Sequence, residues 1–443
     1  MIKKIENLLN LTKNDLQVII EASNILKKDG IVAFPTETVY GIGALISSEK
    51  AIDKVYKVKN RPKDNPLIAH ICSKEMGYRF IHFNNPLEKI LFDFFANKFW
   101  PGPLSLIFKK NKNVQGFATC GLDTISLRMP DNKVALKLIE ISDEAILAPS
   151  ANISGKPSCT NAEEVFTDFG ENIDLILDGG NTPIGIESTV IDIRFDKKII
   201  EILRPGYITY EDILNEFKNF EQYIDLFFDN NFDKNILSEL KDIFQSDKDL
   251  KSQIIDYFNS FKIVNWDYKN IIINDLSKVK SPGLKYKHYK PDAFVILIEN
   301  REFYGNELKQ KLIKKFIENL DKIINLNNTI NNNKTNILNL KVLYISNDFK
   351  YFVESIFQED DLKLNLKNIE FSIFQNGHYY VNNNINIEWI RFENEYDYAK
   401  NYYLIARKSD KEKTNCLILE GMEKKGFKLS LMNRLIKSAD IIL

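Results

Sequence analysis

The sequence predicts an α/β protein of two domains joined by a stretch of different character. Three observations carry this. Between residues 12 and 210, apolar runs of strand length alternate with amphipathic runs of helix length, as in a sandwich of helices on a sheet. After Pro205-Gly206 the alternation gives way to chain rich in Phe, Tyr, Asp, Lys and Asn. From Phe294 a second alternating set begins.

The elements follow in order. Thr12 and Asp15 have capping-box spacing before an amphipathic helix that Gly30 ends. Ile31 to Phe34 is a strand, and the following run PTETVYGIGA, Pro35 to Ala44, reads as a loop too polar and Gly-rich for a core. Ser48 caps a helix over Glu49 to Val58, with Ala51, Ile52, Val55 and Tyr56 on one face. A helix rich in Leu and Phe runs from Pro86 to Phe99 and ends before WPGP. Strands are expected at Leu104 to Phe108, Thr124 to Arg128, Ala145 to Leu147, Leu175 to Leu177, Ser188 to Ile193 and Ile199 to Leu203. Helices fall between them, at Lys133 to Ile141 and Asn161 to Phe169. Residues 211–280 read as a mostly helical connector, and SPGLKYKHYKPDA, residues 281–293, as an ordered linker. The domain over 294–443 has strands at Phe294 to Ile298, Val342 to Ile345 and Cys416 to Leu419, and helices at Glu307 to Leu320 and Phe427 to Ser438. An Asn-rich insertion, 325–339, reads as a surface loop.

Composition excludes several classes. With 443 residues, 44% hydrophobic and 27% charged, the chain is ordinary for a globular protein of two or three domains. The formal net charge of -1 gives no whole-protein footprint for nucleic acid. Cys72, Cys120, Cys159 and Cys416 form no C-x-x-C pair, so neither a disulfide framework nor a zinc knuckle is expected. The first residues, MIKKIENLLNLTKND, lack the apolar core of a signal peptide, and no run is long and apolar enough to span a membrane. A cytoplasmic protein is expected.

The polar clusters carry the chemistry. There is no P-loop and no G-x-G-x-x-G fingerprint, so any nucleotide must be held by cations and hydroxyls. Candidates are Lys57, Lys59, Arg61, Arg128 and Arg204, with Thr124, Ser150, Asn152, Thr160 and Ser188. A lone Lys after a helix is ordinarily solvated. Arg61, however, is followed by Pro62 and a rigid turn, and Arg128 and Arg204 stand at strand ends, where open α/β sheets bind ligands. The run Ala148 to Glu164, APSANISGKPSCTNAEE, offers small residues for close backbone approach, or else a turn into a helix capped by Thr160 with Glu163. Glu187, Ser188 and Thr189 open a strand in GIESTVIDI. Of the histidines, His70 and His288 lie in polar clusters, whereas His82 and His378 do not. No spacing suggests a Ser-His-Asp or Cys-His arrangement or a metal site, so the residues suit binding, orientation and charge stabilisation.

As an ordered set, GIVAFPTETVYGIGA, KVKNRPKDNPLIAHI, FWPGPLSLIF, TISLRMPD, LAPSANISGKPSCT, GIESTVID and ILRPG resemble the YrdC-like family. SPGLKYKHYKP resembles the linker of its long, two-domain form, the L-threonylcarbamoyladenylate synthases, and LSLMNRLIKSAD resembles the end of that form's C-terminal domain. The resemblance implies a twisted, open, mixed-sheet YrdC-like catalytic domain over 12–210 and a smaller Rossmann-like α/β C-terminal domain. It implies a nucleotidyltransferase that turns L-threonine, bicarbonate or CO2, and ATP into L-threonylcarbamoyl-AMP and pyrophosphate. A separate transferase complex then places the threonylcarbamoyl group on tRNA next to the anticodon. Carried over by motif, Thr38, His70, Arg128 and Ser188 hold threonine. Arg61, Asn65, Thr124, Ser150, Asn152, Thr160, Arg204 and Tyr289 hold ATP. Lys59 and Arg61, the K-x-R pair, serve catalysis, and Lys285, His288 and Tyr289 form a lid in the linker. Mg2+ arrives with ATP and needs no protein side chain as ligand. The connector and the Asn-rich insertion depart from the family pattern.

Two rivals stand beside this reading. One is an RNA-binding YrdC-like module without adenylate synthesis, kept open by the cluster Lys57, Lys59, Arg61 and Lys63, although the net charge makes direct tRNA binding weak. The other is a carbamoyl-phosphate-using transferase of the hydrogenase-maturation type, whose zinc-binding Cys pairs are missing here.

Overall fold

The computed structural model describes residues 1–8, 10–229, 234–244, 249–266, 289–299, 306–319, 323, 338–357, 380–382 and 385–443. The chain forms two units, residues 1–154 with 158–286, and residues 155–157 with 287–443. Lys285, His288 and most of the Asn-rich insertion lie outside the described residues.

The first unit opens with β1 (Ile2–Lys4) and α1 (Lys13–Leu26). The capping box at the start of α1 is formed: the Thr12 hydroxyl accepts from the Asp15 N–H, and the Asp15 carboxylate accepts from the Thr12 N–H. β2 (Val32–Phe34) then returns antiparallel as β3 (Gly41–Leu45). This corrects the reading of Pro35 to Ala44 as a loop outside the core, because every residue from Ile31 to Ile46 is buried. The glycines are what admit the neighbouring strand. A Cβ on Gly43 would meet Ile146 Cγ2 at 2.4 Å and the Leu147 carbonyl at 3.0 Å.

α2 (Glu49–Val58), capped by Ser48, leads to β4 (Ile68–His70), α3 (Lys74–Tyr78) and α4 (Pro86–Phe99). Asn85 caps α4, and Pro86 in the first turn loses no bond a helix would have made. There follow β5 (Leu104–Lys109), β6 (Thr124–Arg128), α5 (Lys133–Ser142), β7 (Ile146–Ala148), α6 (Ala162–Phe169), β8 (Leu175–Asp178), β9 (Thr189–Arg194) and β10 (Ile199–Arg204). Next come four helices, α7 (Tyr210–Lys218), α8 (Phe220–Asp229), α9 (Lys234–Phe244) and α10 (Leu250–Asn259), and then β11 (Lys262–Val264).

Among the described residues these strands make one 11-stranded mixed sheet in the order β1-β8-β2-β3-β7-β4-β6-β5-β9-β10-β11. The segment expected as a connector is packed into this unit. Its strand β11 pairs parallel with β10, and Phe220, Ile224, Leu240, Ile254, Phe258 and Phe261 join the first core. Phe220 bridges the two regions, with its ring centroid 4.9 Å from that of Phe94 on α4 and 4.5 Å from that of Phe258 on α10.

The second unit comprises β12 (Phe294–Ile298), α11 (Asn306–Glu318), β13 (Leu338–Tyr344), α12 (Asn347–Phe357), β14 (Tyr380–Asn382), β15 (Ile385–Arg391), α13 (Glu395–Lys411), β16 (Cys416–Glu420), α14 (Gly426–Ser438) and β17 (Ile441–Ile442). Its described strands are ordered β14-β15-β13-β16-β12-β17, and all pairs are parallel except β14 with β15. A parallel sheet of this kind needs helices over its faces, which explains the unbroken apolar runs in β12 and β16. Among the described residues no helix is long and apolar enough to cross a membrane.

If α7 to α10 are integral to the first unit, Phe220→Ala removes a fully buried ring at the junction. The expected cost is about 3–5 kcal/mol in denaturant unfolding, read on the full chain. A cost below about 1 kcal/mol would mean that these helices are dispensable to the fold.

Candidate active site

Strand register builds the site. β4 and β6 run parallel with Ile68 opposite Ser126 and His70 opposite Arg128. Paired residues share a sheet face, and alternate residues along a strand do so too. Thr124, Ser126 and Arg128 therefore line one face of β6, while Ile125 and Leu127 enter the core on the other. Four residues of strand at ~3.3 Å each set Thr124 and Arg128 about 13 Å apart. Between them the buried Ser126 hydroxyl has no hydrogen-bond partner, and its register neighbours are Ile68 and Ile107. An unmet buried hydroxyl costs about 1–3 kcal/mol, and a polar ligand on this face would relieve it.

At the Arg128 end, Glu37 Oε1 lies 2.6 Å from Arg128 Nη2. This is an ion pair by distance, but its angles make no hydrogen bond, and neither carboxylate oxygen of Glu37 has a hydrogen-bond donor. The loop carrying Glu37 is fixed by its backbone. The Ile184 and Gly185 N–H groups donate to the carbonyls of Glu37 and Thr38 at 3.0 Å each, and the Tyr40 N–H donates to the Cys159 carbonyl at 2.9 Å. Within the loop the Thr36 hydroxyl accepts from the Thr38 N–H and lies 2.9 Å from the Thr38 hydroxyl. Burial, helped by the Arg128 charge, pushes the His70 imidazole down to about 3, so it is neutral at ordinary pH. Its Nδ1 lies 3.2 Å from the Ile68 carbonyl, to which the neutral ring can donate.

Ser188 and Arg204 form a second group. The Arg204 guanidinium donates through Nε and Nη2 to the Ser188 carbonyl and through Nη2 to its hydroxyl, at 2.8–3.0 Å, and the Ser188 hydroxyl is 2.8 Å from that of Ser105. Gly206 permits this approach, since a Cβ there would sit 2.3 Å from the Thr189 nitrogen.

The third group lies beyond α2. Lys59 caps that helix, and its ammonium donates to the carbonyls of Ser150 and Asn152, while the Ser154 N–H donates to the Lys59 carbonyl. Arg61 grips the carbonyls of Asn65 and Pro66, both at 3.1 Å, and the Tyr56 hydroxyl also donates to the Asn65 carbonyl. The backbone of Asn65 is thus pinned, yet both ends of its side-chain amide are buried without a hydrogen-bond partner. A ligand with a donor and an acceptor side by side would satisfy this amide.

The remaining candidates are placed as follows. The Ser150 hydroxyl donates to Asn152 Oδ1, and Asn152 Nδ2 donates to the Ile153 carbonyl. Thr160 is not the cap of α6: Asn161 is, accepting from the Glu164 N–H, and Thr160 gives its own N–H and hydroxyl to the Glu164 carboxylate. Thr124 is part-exposed at the start of β6. Tyr289 belongs to the second unit, where its ring stacks on Tyr403 at 5.4 Å and faces the Arg434 guanidinium. Reasoning from sequence missed three residues. Ser126 was legible in the alternation of TISLR, and Glu37 in the run of polar residues after Phe34. Ser105 carried no signal, because only the pairing of β5 with β9 brings it beside Ser188.

The chain is similar to known proteins over its whole length. Residues 24–206 match the family model described as telomere recombination, which groups Sua5, YciO and YrdC. Residues 251–440 match the model described as the C-terminal domain of threonylcarbamoyl-AMP synthase. The threonylcarbamoyl-AMP synthase of Pyrococcus abyssi is 31% identical over 418 residues, which is 94% of this chain and 93% of that one. The Bacillus subtilis enzyme of the same name is 45% identical over 204 residues, 46% of this chain and 57% of its own. The crystal structure of P. abyssi Sua5 complexed with L-threonine is similar at a TM-score of 0.67 and 28% identity, covering 100% of this chain and 99% of that one.

The depressed His70 titration has a stability consequence. An unfolded His binds a proton below about pH 6.5, whereas buried His70 does so only near pH 3. Its contribution is therefore complete above pH 6.5 and is lost as pH falls towards 3, at about 1.4 kcal/mol per pH unit. His70→Asn is expected to flatten the fall in unfolding free energy between pH 6.5 and 5 by that amount. Parallel profiles for the two proteins would contradict a buried neutral His70.

Proposed function

The chain belongs to the threonylcarbamoyl-AMP synthase family, and from that premise we propose how its residues divide the work. It is a synthase of L-threonylcarbamoyl-AMP, with ATP as nucleotide substrate, and the family's role is the threonylcarbamoyladenosine modification of tRNA. L-Threonine binds at the Arg128 end of β6, with its carboxylate on Arg128 and its hydroxyl and nitrogen among Thr38, His70 and Ser188. ATP binds towards Arg61, Asn65 and Thr124, with Ser150, Asn152, Thr160 and Arg204 along its phosphates and ribose. The observation that carries this division is the row on β6, about 13 Å from Thr124 to Arg128, with the unmet Ser126 hydroxyl between them. Its length suits an amino acid joined to a nucleotide. The contact of Arg204 with Ser188 supports a meeting point of the two halves.

The chemistry follows from charge. Threonine's carbamate and the α-phosphate of ATP are both anionic, so attack of the carbamate oxygen on phosphorus needs their repulsion offset. Arg61 and Arg204 supply fixed positive charge, and Lys59 holds the Ser150–Asn152 segment by its carbonyls. The side chains gathered here are cations, amides and hydroxyls, which suit phosphate oxygens; Mg2+ carried by ATP would offset charge on the triphosphate without needing a protein side chain to hold it. The product is a mixed anhydride that water destroys, and it is handed to a tRNA-modifying transferase complex in the cytoplasm.

Pyrophosphate release from ATP and bicarbonate tests this reading, with L-threonine present or absent and L-serine as control. Threonine-dependent release is expected. Arg128→Lys is expected to raise the threonine KM at least about 10-fold with the ATP KM little changed, because Lys cannot replace a bidentate guanidinium. Asn65→Ala is expected to do the reverse. If both variants raise the same KM, the division of the row fails. If folded protein releases no pyrophosphate but binds tRNA in a salt-sensitive way, the RNA-binding reading takes its place.

A further inference from the structure

The reaction needs a step that the binding residues do not supply. Threonine reaches the enzyme with its nitrogen as an ammonium, which has no lone pair to attack CO2. Some group must take that proton before the carbamate can form. We propose that Glu37 is this base, and that threonine binding itself switches it on by displacing it from Arg128. The inference rests on the assignment of the threonine carboxylate to Arg128.

Glu37 is buried at 5% exposure, with Oε1 2.6 Å from Arg128 Nη2 and Oε2 without a hydrogen-bond partner. It is the carboxylate paired with Arg128, and it already occupies the cation that the substrate carboxylate must reach. Among the described residues, the other titratable and charged groups near it are these. Arg128 lies on β6, and Asp131 stands in the turn beyond β6, its carboxyl raised by burial and by the Glu37 charge. His70 on β4, in register with Arg128, is held neutral and resists a proton at ordinary pH. The nearby segment from Ile184 gives backbone N–H donors to the loop, and its Glu187 carboxylate accepts from the Ser158 hydroxyl.

A zwitterion fits this pair by exchange. Its carboxylate takes Glu37's place on Arg128, and its ammonium, attached to the same carbon, then comes within reach of the displaced Glu37. Glu37 has then exchanged a guanidinium that cannot give up its proton for an ammonium that can. The balance is simple. Glu37 takes one proton from the ammonium, and the freed nitrogen lone pair forms the N–C bond to CO2 as one C–O π pair moves onto oxygen. The second nitrogen proton passes to water, leaving the carbamate anion that attacks ATP. The bland alternative is that Glu37 only neutralises a buried Arg128.

The test uses full-length wild type, E37Q and E37D. Threonine affinity is measured by calorimetry without ATP, and kcat for threonine-dependent pyrophosphate release is followed from pH 6.5 to 9. E37Q is expected to bind threonine within about 10-fold of wild type but to lose about 10²–10³-fold in kcat at pH 7. Its residual kcat should rise nearly tenfold per pH unit, as free amine replaces ammonium, while wild type stays flatter. E37D should recover part of the rate and of the flat profile. A kcat loss in E37Q with the wild-type pH slope, or no loss, overturns the proposal. If E37Q does not fold, E37D decides: a steeper alkaline rise than wild type supports the base, and an unchanged profile overturns it. Failure of the underlying assignment shows elsewhere, as wild-type protein that releases no pyrophosphate or Arg128→Lys that binds threonine normally.

Discussion

A permanent cation buried at the end of a strand is the constraint on which this end of the candidate site depends. Arg128 is 4% exposed and cannot shed its charge, so the fold must surround it with partners that do not compete for a proton. Glu37 supplies the compensating charge, and His70 is kept neutral beside it. The energetics favour a site that exchanges one carboxylate for another. Removing a partner without replacement would strand a charge in a poor solvent, whereas a zwitterion brings both signs at once.

The rest of the first unit serves that arrangement through register. His70 reaches Arg128 because β4 pairs parallel with β6, and Ser188 reaches Arg204 because the start of β9 lies against the end of β10. Tight turns and glycines bring the backbone close where side chains would block it, as at Gly43 and Gly206. Several candidate binding groups are already engaged within the protein: Lys59 by carbonyls, Thr160 by Glu164, and Arg61 by the Asn65 and Pro66 carbonyls. Held side chains lose little entropy on binding, which is how a site of modest hydrogen bonds becomes selective.

Much of this was legible in the chain, for local reasons. The helices Glu49–Val58 and Pro86–Phe99 and the strands Thr124–Arg128 and Phe294–Ile298 have the bounds expected, because their caps, prolines and alternation are local signals. β3 was hidden by its two glycines, and β4 by being three residues long beside a proline. The helix Glu395–Lys411 escaped because charged and amide residues, Lys400 and Asn401 among them, interrupt its buried face, which holds Tyr398, Tyr402 and Tyr403. At the site, residue types showed which groups could bind an anion, but pairing between distant strands decides which of them meet. No local pattern reveals that Ser105 touches Ser188, or that Glu37 faces Arg128 from a distant stretch of chain. The packing of residues 210–264 against the first core was equally hidden, since Phe220 meets Phe94 only in three dimensions.

The central claim is that one ligand lies along β6, amino acid at Arg128 and nucleotide towards Asn65 and Thr124. The most direct measurement is a crystal structure of the full chain with L-threonine and a non-hydrolysable ATP analogue. The account predicts the threonine carboxylate on the Arg128 guanidinium, with Glu37 turned to the nitrogen, and the nucleotide within hydrogen-bond reach of the Asn65 amide. Threonine bound away from Arg128, or nucleotide lying at the Arg128 end, would contradict it.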